Sequence, residues 1–175
     1  MIALAEPVVP PRPRLQTAPL TPVLALDLAT ATGWALRDAR GQLTSGVQSF
    51  ALRSGESSGL RLLRFRRWLR EVLDLGEVRL VAYEQPLIHR VRRQLNRSVA
   101  HNLEGVLLPE LEGQVDYVSP TPAEVKKHAT GRGNASKEQM VVAAATRWQV
   151  EVTDHDEADA LCLLAWALDE IGEAP

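Results

Sequence analysis

The stretch from Ala158 to Leu168 is apolar nearly all round except for Asp159, and that exception constrains the fold more than any other residue. A helix without a polar face has to be covered on most sides, so it belongs in the middle of the molecule. A carboxylate on such a helix, with no obvious cationic neighbour, is costly to bury unless a metal ion or a strong partner compensates it. The lead-in, Thr153-Asp154-His155-Asp156-Glu157-Ala158-Asp159, supplies more acids. Asp156 and Asp159 are three apart, which puts both on one side of a helix.

Two further acids stand where a hydrophobic run gives out: Asp27 in Val23-Leu-Ala-Leu-Asp27, and Glu84 in Val78-Arg-Leu-Val-Ala-Tyr-Glu84. Singly, each acid has a plain structural role. Asp27 can bond the turn containing Thr30 and Thr32. Glu84 can be a solvated strand end. Asp154, Asp156 and Glu157 complement a helix dipole, with Thr153 as N-cap and Asp156 at N3 of a capping box. Jointly, Asp27, Glu84, Asp156 and Asp159 would make an oxygen-only cage for hard divalent cations. Beside many arginines, such a cage suggests phosphodiester hydrolysis.

The order of elements bears on whether the four acids can meet. Val23 to Leu28 reads as a strand buried on both faces. Ala29 to Gly33 reads as a turn, and Trp34 to Arg37 and Gln42 to Leu52 as two more strands around Asp38-Ala-Arg-Gly41. A helix is expected over Leu60 to Leu75, ending at Gly76. Val78 to Tyr83 is a strand stopped by Pro86. Val91 to Leu108 is a helix meeting Pro109, Val115 to Val118 a short strand, and Thr121 to His128 one or two helical turns. Ser136 to Trp148 and Thr153 to Ile171 are the last helices. This predicts an α/β fold: a five-stranded mixed sheet, a three-strand meander followed by alternating helices and strands, with helices on both faces. A right-handed crossover would lay Val78–Tyr83 parallel to the first strand, making Asp27 and Glu84 neighbours.

The chain has 175 residues, enough for one domain with a sizeable core. Residues 1–22 hold six of the eleven prolines and read as a disordered arm without signal-peptide features, leaving residues 23–172 as the domain. No apolar run is long enough to span a bilayer. The lone cysteine, Cys162, cannot form an internal disulfide and suits a reducing cytoplasm. The net charge of −2 conceals a segregation: Arg61 to Lys137 carries 14 Lys and Arg against 9 acids, whereas Glu151 onward carries 8 acids and no Lys or Arg. A basic middle suits a polyanion, and the acidic end suits a cation. Arg61, Arg64, Arg67 and Arg70 recur at helical spacing and are read as a solvated face. Trp34, Trp68, Trp148 and Trp166 are expected in the core.

The series Leu-Asp27-Leu-Ala-Thr-Ala-Thr-Gly33-Trp, Tyr-Glu84-Gln, Glu104-Gly105-Val, Ala123-Glu-Val-Lys126, Gly131-Arg-Gly133-Asn-Ala-Ser-Lys137-Glu-Gln and Asp156-Glu-Ala-Asp159-Ala-Leu resembles the RuvC family of Holliday-junction resolvases, from about Val23 to Leu168. The resemblance implies a ribonuclease H-like fold, a homodimer, and Mg²⁺ or Mn²⁺ as cofactor, in a bacterial or phage-infected cell. It places the family's acidic tetrad on Asp27, Glu84, Asp156 and Asp159, with two ions per site bridged by Asp27. Lys126 and Lys137 match basic residues near the scissile strand, and Arg132 sits between two loop glycines. Leu87 falls where the family often carries an aromatic wedge. His89, Arg90, Arg92, Arg93 and Arg97 form an unusually arginine-rich segment and are the best phosphate-binding candidates. The helix bearing Leu95, Val99, Leu103, Val106 and Leu107 is the expected dimer interface, although the same stripe could face the monomer core.

Three rival readings differ in testable ways. A broader nuclease would also trim flaps and forks. A non-catalytic DNA-binding module would make no metal-dependent cut. A small actin-like kinase or phosphatase would turn over ATP, but the chain is too short for that superfamily's second lobe.

Overall fold

The computed structural model describes residues 19–86 and 94–173, apart from the side chains of residues 94–98. Strands β1 (Val23–Asp27), β2 (Ala31–Arg37) and β3 (Leu43–Ser49) form an antiparallel meander. Helix α1 (Ser58–Leu75) crosses to β4 (Leu80–Tyr83), which lies parallel to β1, and α2 (Gln94–Leu111) crosses to β5 (Asp116–Val118), parallel to β4. Helices α3 (Pro122–Thr130), α4 (Lys137–Trp148) and α5 (His155–Glu170) complete the chain. The sheet order is β3-β2-β1-β4-β5, the expected five-stranded mixed sheet.

Strand alternation divides the core in two. On one face Leu24, Leu26, Val81 and Tyr83 pack with Phe65 and Leu69 of α1 and Leu103, Leu107 and Leu111 of α2. On the other face Val23, Ala25, Ala35, Leu80 and Ala82 pack beneath α5, which α3 and α4 cover in turn. The sheet residues under α5 are small: Ser45, Ala35, Ala25 and Ala82 form one row across β3, β2, β1 and β4. A row of such short side chains lets a helix lie close. Nine residues of α5 are buried, as its all-round apolarity requires.

Several expectations shift. Ala29 to Gly33 is only partly a turn: Thr32 donates from Oγ1 to the Ala29 carbonyl at 2.8 Å, and β2 already begins at Ala31. Thr153 is not the N-cap of α5; Asp154 is, its carboxylate accepting from the amides of Asp156 at 2.8 Å and Glu157 at 3.3 Å. Helix α2 continues through Pro109 to Leu111. Its Leu103 and Leu107 point into the monomer core, which overturns their placement at a dimer interface; Val99 and Val106 pack against the same cluster, and the side chain of Leu95 lies outside the described residues. On α1, Arg64 pairs with Glu56 at 2.6 Å, while Arg66 and Arg70 both pair with Glu110 at 2.5 Å. Trp34, Phe50 and Phe65 cluster edge-on or tilted around Trp68, and Trp148 donates from Nε1 to the Leu161 carbonyl at 3.0 Å. Arg37 is 1% exposed; it donates to the Thr21 carbonyl at 2.8 Å and pairs with Glu173, clasping the two ends of the described chain together. Among the described residues no helix is long and apolar enough to cross a membrane.

Candidate active site

The floor of the site follows from register and parity. β1 and β4 run parallel with Val23 opposite Leu80 and Leu26 opposite Tyr83, so one residue further Asp27 stands beside Glu84. The Glu84 amide continues the ladder to the Leu26 carbonyl at 3.4 Å. Asp27 shares the parity of Val23 and Ala25, and Glu84 that of Leu80 and Ala82, so both face α5. The carboxyl ends of adjacent parallel strands are where open α/β sheets place their ligands.

The roof is the first turn of α5. Gly33 pairs with Asp27 across β1 and β2, on the same face. A Cβ on Gly33 would lie 1.8 Å from the Asp156 carbonyl oxygen, so the helix start rests on bare backbone. By its sequence Gly33 reads as a turn residue, but it lies inside β2. The available signal was a glycine flanked by strand-forming residues, which marks a close backbone approach. The contact seats Asp156 over the strand ends, and Asp159 follows one turn into the helix.

All four acids are partly exposed, and burial weighs on Asp27, Glu84 and Asp159. Burial, followed by the charges of Glu84, Asp159 and Asp156, raises the Asp27 carboxyl well above its ordinary range, with Lys137 opposing. Burial and Asp159 push Glu84 up to about 7, with Lys126 opposing. Burial also raises Asp159, against Lys126 and Lys137. Behind them Cys162 is pushed up to about 12, first by burial and then by Asp159 and Glu84, so its thiol stays protonated. Each acid thus lies within electrostatic reach of others from distant parts of the chain.

A site of raised carboxylates is strained when these are ionised, and cations relieve it. The donor set fits hard, oxygen-seeking divalent ions and not soft ones. Among the described residues no three His, Cys, Asp or Glu side chains stand as a closed ligand set. Side-chain rotation is what would bring the oxygens together.

This strain predicts an unusual stability profile. Below pH 4.5 Glu84 is protonated whether the chain is folded or not; from there to about 7 the folded chain alone holds the proton. Above that the folded protein carries a charge its surroundings oppose, so this contribution to stability is lost as pH rises through about 7. The loss is on the order of 2 kcal/mol, or roughly 5 °C in Tm. Melting in EDTA at pH 5.5 and pH 8 should show it, Mg²⁺ at pH 8 should recover it, and Glu84→Gln should flatten it. Parallel curves for the two proteins would show that Glu84 is not strained.

Two capping boxes fix the lysines. Thr121 and Glu124 start α3, which carries Lys126, and Gly131 closes that helix in the left-handed conformation with φ 78°. Ser136 and Gln139 start α4, whose first residue is Lys137. Both lysines therefore act on the tetrad, as their opposing effects on the acids show. Arg132 is exposed on the loop between them. Leu87, His89, Arg90, Arg92 and Arg93, and the side chain of Arg97, lie outside the described residues.

Comparison with known proteins gives a consistent result. The family model described as crossover junction endodeoxyribonuclease RuvC matches residues 25–167. A crossover junction endodeoxyribonuclease RuvC from Chlorobium phaeobacteroides is 32% identical over 157 residues, covering 86% of this chain and 82% of that protein. The structure of Thermus thermophilus RuvC in complex with Holliday junction substrate superposes with a TM-score of 0.71 at 21% identity, covering 89% of this chain and 98% of the other. A yeast mitochondrial Holliday junction resolvase superposes with a TM-score of 0.54 at 16% identity, over 85% of this chain and 78% of the other.

Proposed function

The chain belongs to the crossover junction endodeoxyribonuclease RuvC family, a family of metal-dependent nucleases, and on that premise we propose that Asp27, Glu84, Asp156 and Asp159 hold Mg²⁺ or Mn²⁺, two ions per site, for cutting four-way DNA junctions. The observation that carries this assignment is the register that sets Asp27 beside Glu84 beneath the acidic first turn of α5. When bound, the cations supply an activated water and charge stabilisation at the scissile phosphate and the leaving 3′ oxygen.

The protein's own residues do the rest. Asp27, in charge contact with the other three acids, would be a ligand to both ions, and Glu84 and Asp159 would add further ligands. Asp156, on the first turn of α5, would complete the set or orient a water. Lys126 and Lys137 oppose the acids' mutual repulsion and offer ammonium groups to the phosphates of the strand being cut. Arg132, with Leu87, His89, Arg90, Arg92, Arg93 and Arg97, would hold the junction arms.

A junction has near two-fold symmetry, and clean resolution needs two symmetric nicks, which a homodimer provides. With Leu103 and Leu107 committed to the core, the α1–α2 ridge is one apolar surface that the described residues offer to a second copy. There Leu63 is 60% exposed beside a groove lined by Leu60, Leu62 and Val106.

The test uses a mobile-core four-way junction, a flap and a plain duplex, each with Mg²⁺ or Mn²⁺ and mapped nicks. Paired symmetric nicks in the junction are expected, with binding that weakens steeply as salt rises. Equal cutting of flaps would establish the broader branched-DNA nuclease. No metal-dependent cut of any substrate would leave a DNA-binding module only.

A further inference from the structure

We propose that Ser45 and Glu157 form a positioning pair that holds the first turn of α5 at the height and rotation that aim Asp156 and Asp159 at Asp27; this rests on reading the tetrad as cation ligands. Glu157 lies between Asp156 and Asp159 in the chain, yet it belongs to a different side of the helix. One residue is a rotation of roughly 100°, so a turn that presents Asp156 to the strand ends carries Glu157 away from them. The Glu157 carboxylate is directed instead to the neighbouring hairpin, where its Oε1 accepts from the Ser45 hydroxyl at 2.6 Å. The charges that raise Asp27 come from Glu84, Asp159 and Asp156.

The sheet gives this bond its leverage. Ser45 lies opposite Ala35, which lies opposite Ala25, so it belongs to the row of small residues on which α5 rests. The next row in the direction of the acids is Val47, Gly33, Asp27. Packing of its nine buried residues fixes the body of α5 and contact at Gly33 sets how closely its start approaches, but the exposed side of the first turn has no side-chain anchor from either. The Ser45–Glu157 bond supplies a second point, on another strand and through a side chain. Together with the packed body of the helix, the two points hold the first turn's rotation, and therefore the direction in which the ligating carboxylates project. Groups that orient metal ligands in this way commonly change metal affinity by about 10-fold to 100-fold when removed.

The experiment measures Mn²⁺ binding to the full-length protein by calorimetry at pH 8 without DNA, alongside junction binding in EDTA and thermal melting. Ser45→Ala and Glu157→Ala are each expected to weaken Mn²⁺ binding about 10-fold. The double variant should lose no more than either single one, since both remove the same bond. Glu157→Gln should stay near wild type, because the amide oxygen still accepts from Ser45. Junction binding should not change. If Glu157→Gln loses as much as Glu157→Ala, the residue acts through its charge and the proposal is overturned. Losses that simply add, or a lowered Tm with unchanged Mn²⁺ affinity, overturn it as well and leave the tetrad reading intact. A wild-type protein that takes up no Mn²⁺, or Asp27→Asn that takes up as much as wild type, overturns the tetrad reading and with it the positioning role.

Discussion

Asp27→Asn is expected to slow junction cleavage by on the order of 10³-fold or more, with junction binding unchanged. Asp27 is in electrostatic contact with all three other acids. The amide keeps the volume and hydrogen-bonding shape of the carboxyl but removes the charge that would hold two cations. The same substitution removes a charge that burial and three neighbouring acids oppose, so at pH 8 in EDTA the variant should melt above wild type. Opposite signs for stability and activity are the signature of a site built for ions and not for folding. Single-turnover cleavage of a four-way junction and a melting curve check both halves. A variant that cuts at the wild-type rate would remove Asp27 from the site, and a variant that melts below wild type would show its carboxyl to be stabilised, not strained.

Gly33→Ala should have the next largest effect, although it changes no ligand. The added methyl would sit 1.8 Å from the Asp156 carbonyl oxygen and 2.4 Å from its carbon, and neither strand nor helix backbone can yield without moving the start of α5. Overpacking of this kind costs about 1–3 kcal/mol. Displacing Asp156 and Asp159 by about 1 Å should lower cleavage by on the order of 10²-fold. Gly46→Ala is the matched control: it lies on the next strand, and its methyl would meet Trp34 at 3.5 Å, an ordinary contact. Measured side by side, Gly33→Ala should lose activity well beyond its loss of Tm while Gly46→Ala keeps both. Equal behaviour of the two would show that α5 is not seated by the bare backbone at Gly33.

The parts of the site that could be read from the sequence are those written in short-range pattern. The unbroken apolar run before Asp27, the strand ending at Glu84 and the buried helix behind Asp159 each announce themselves by periodicity. Parallel pairing of the two strands followed from the crossover rule, and the observed register sets the two acids side by side. What escaped depends on contacts between distant segments. Gly33 looks like a turn residue because its reason for being glycine lies in Asp156, far along the chain. Leu103 and Leu107 make a stripe that suits a core or a dimer equally, since both bury apolar area; only the position of α1 and the sheet decides. Asp154 and Thr153 both suit an N-cap, and the choice rests on where the helix axis enters. Arg37 reads as a polar strand end, whereas its partner Glu173 is 136 positions away.

That clasp has a practical corollary for handling the protein. Arg37 pairs with Val23 at the start of β1, whereas the acids gather beyond the other end of that strand. Thr21 and Glu173 are therefore fastened at the pole opposite the site. A probe attached directly at Thr21 or Glu173 would sit on the side turned away from the acids. Because Thr21 and Glu173 meet there, a short tether between these two residues, in place of the segments beyond them, could let the chain be opened elsewhere, as in circular permutation.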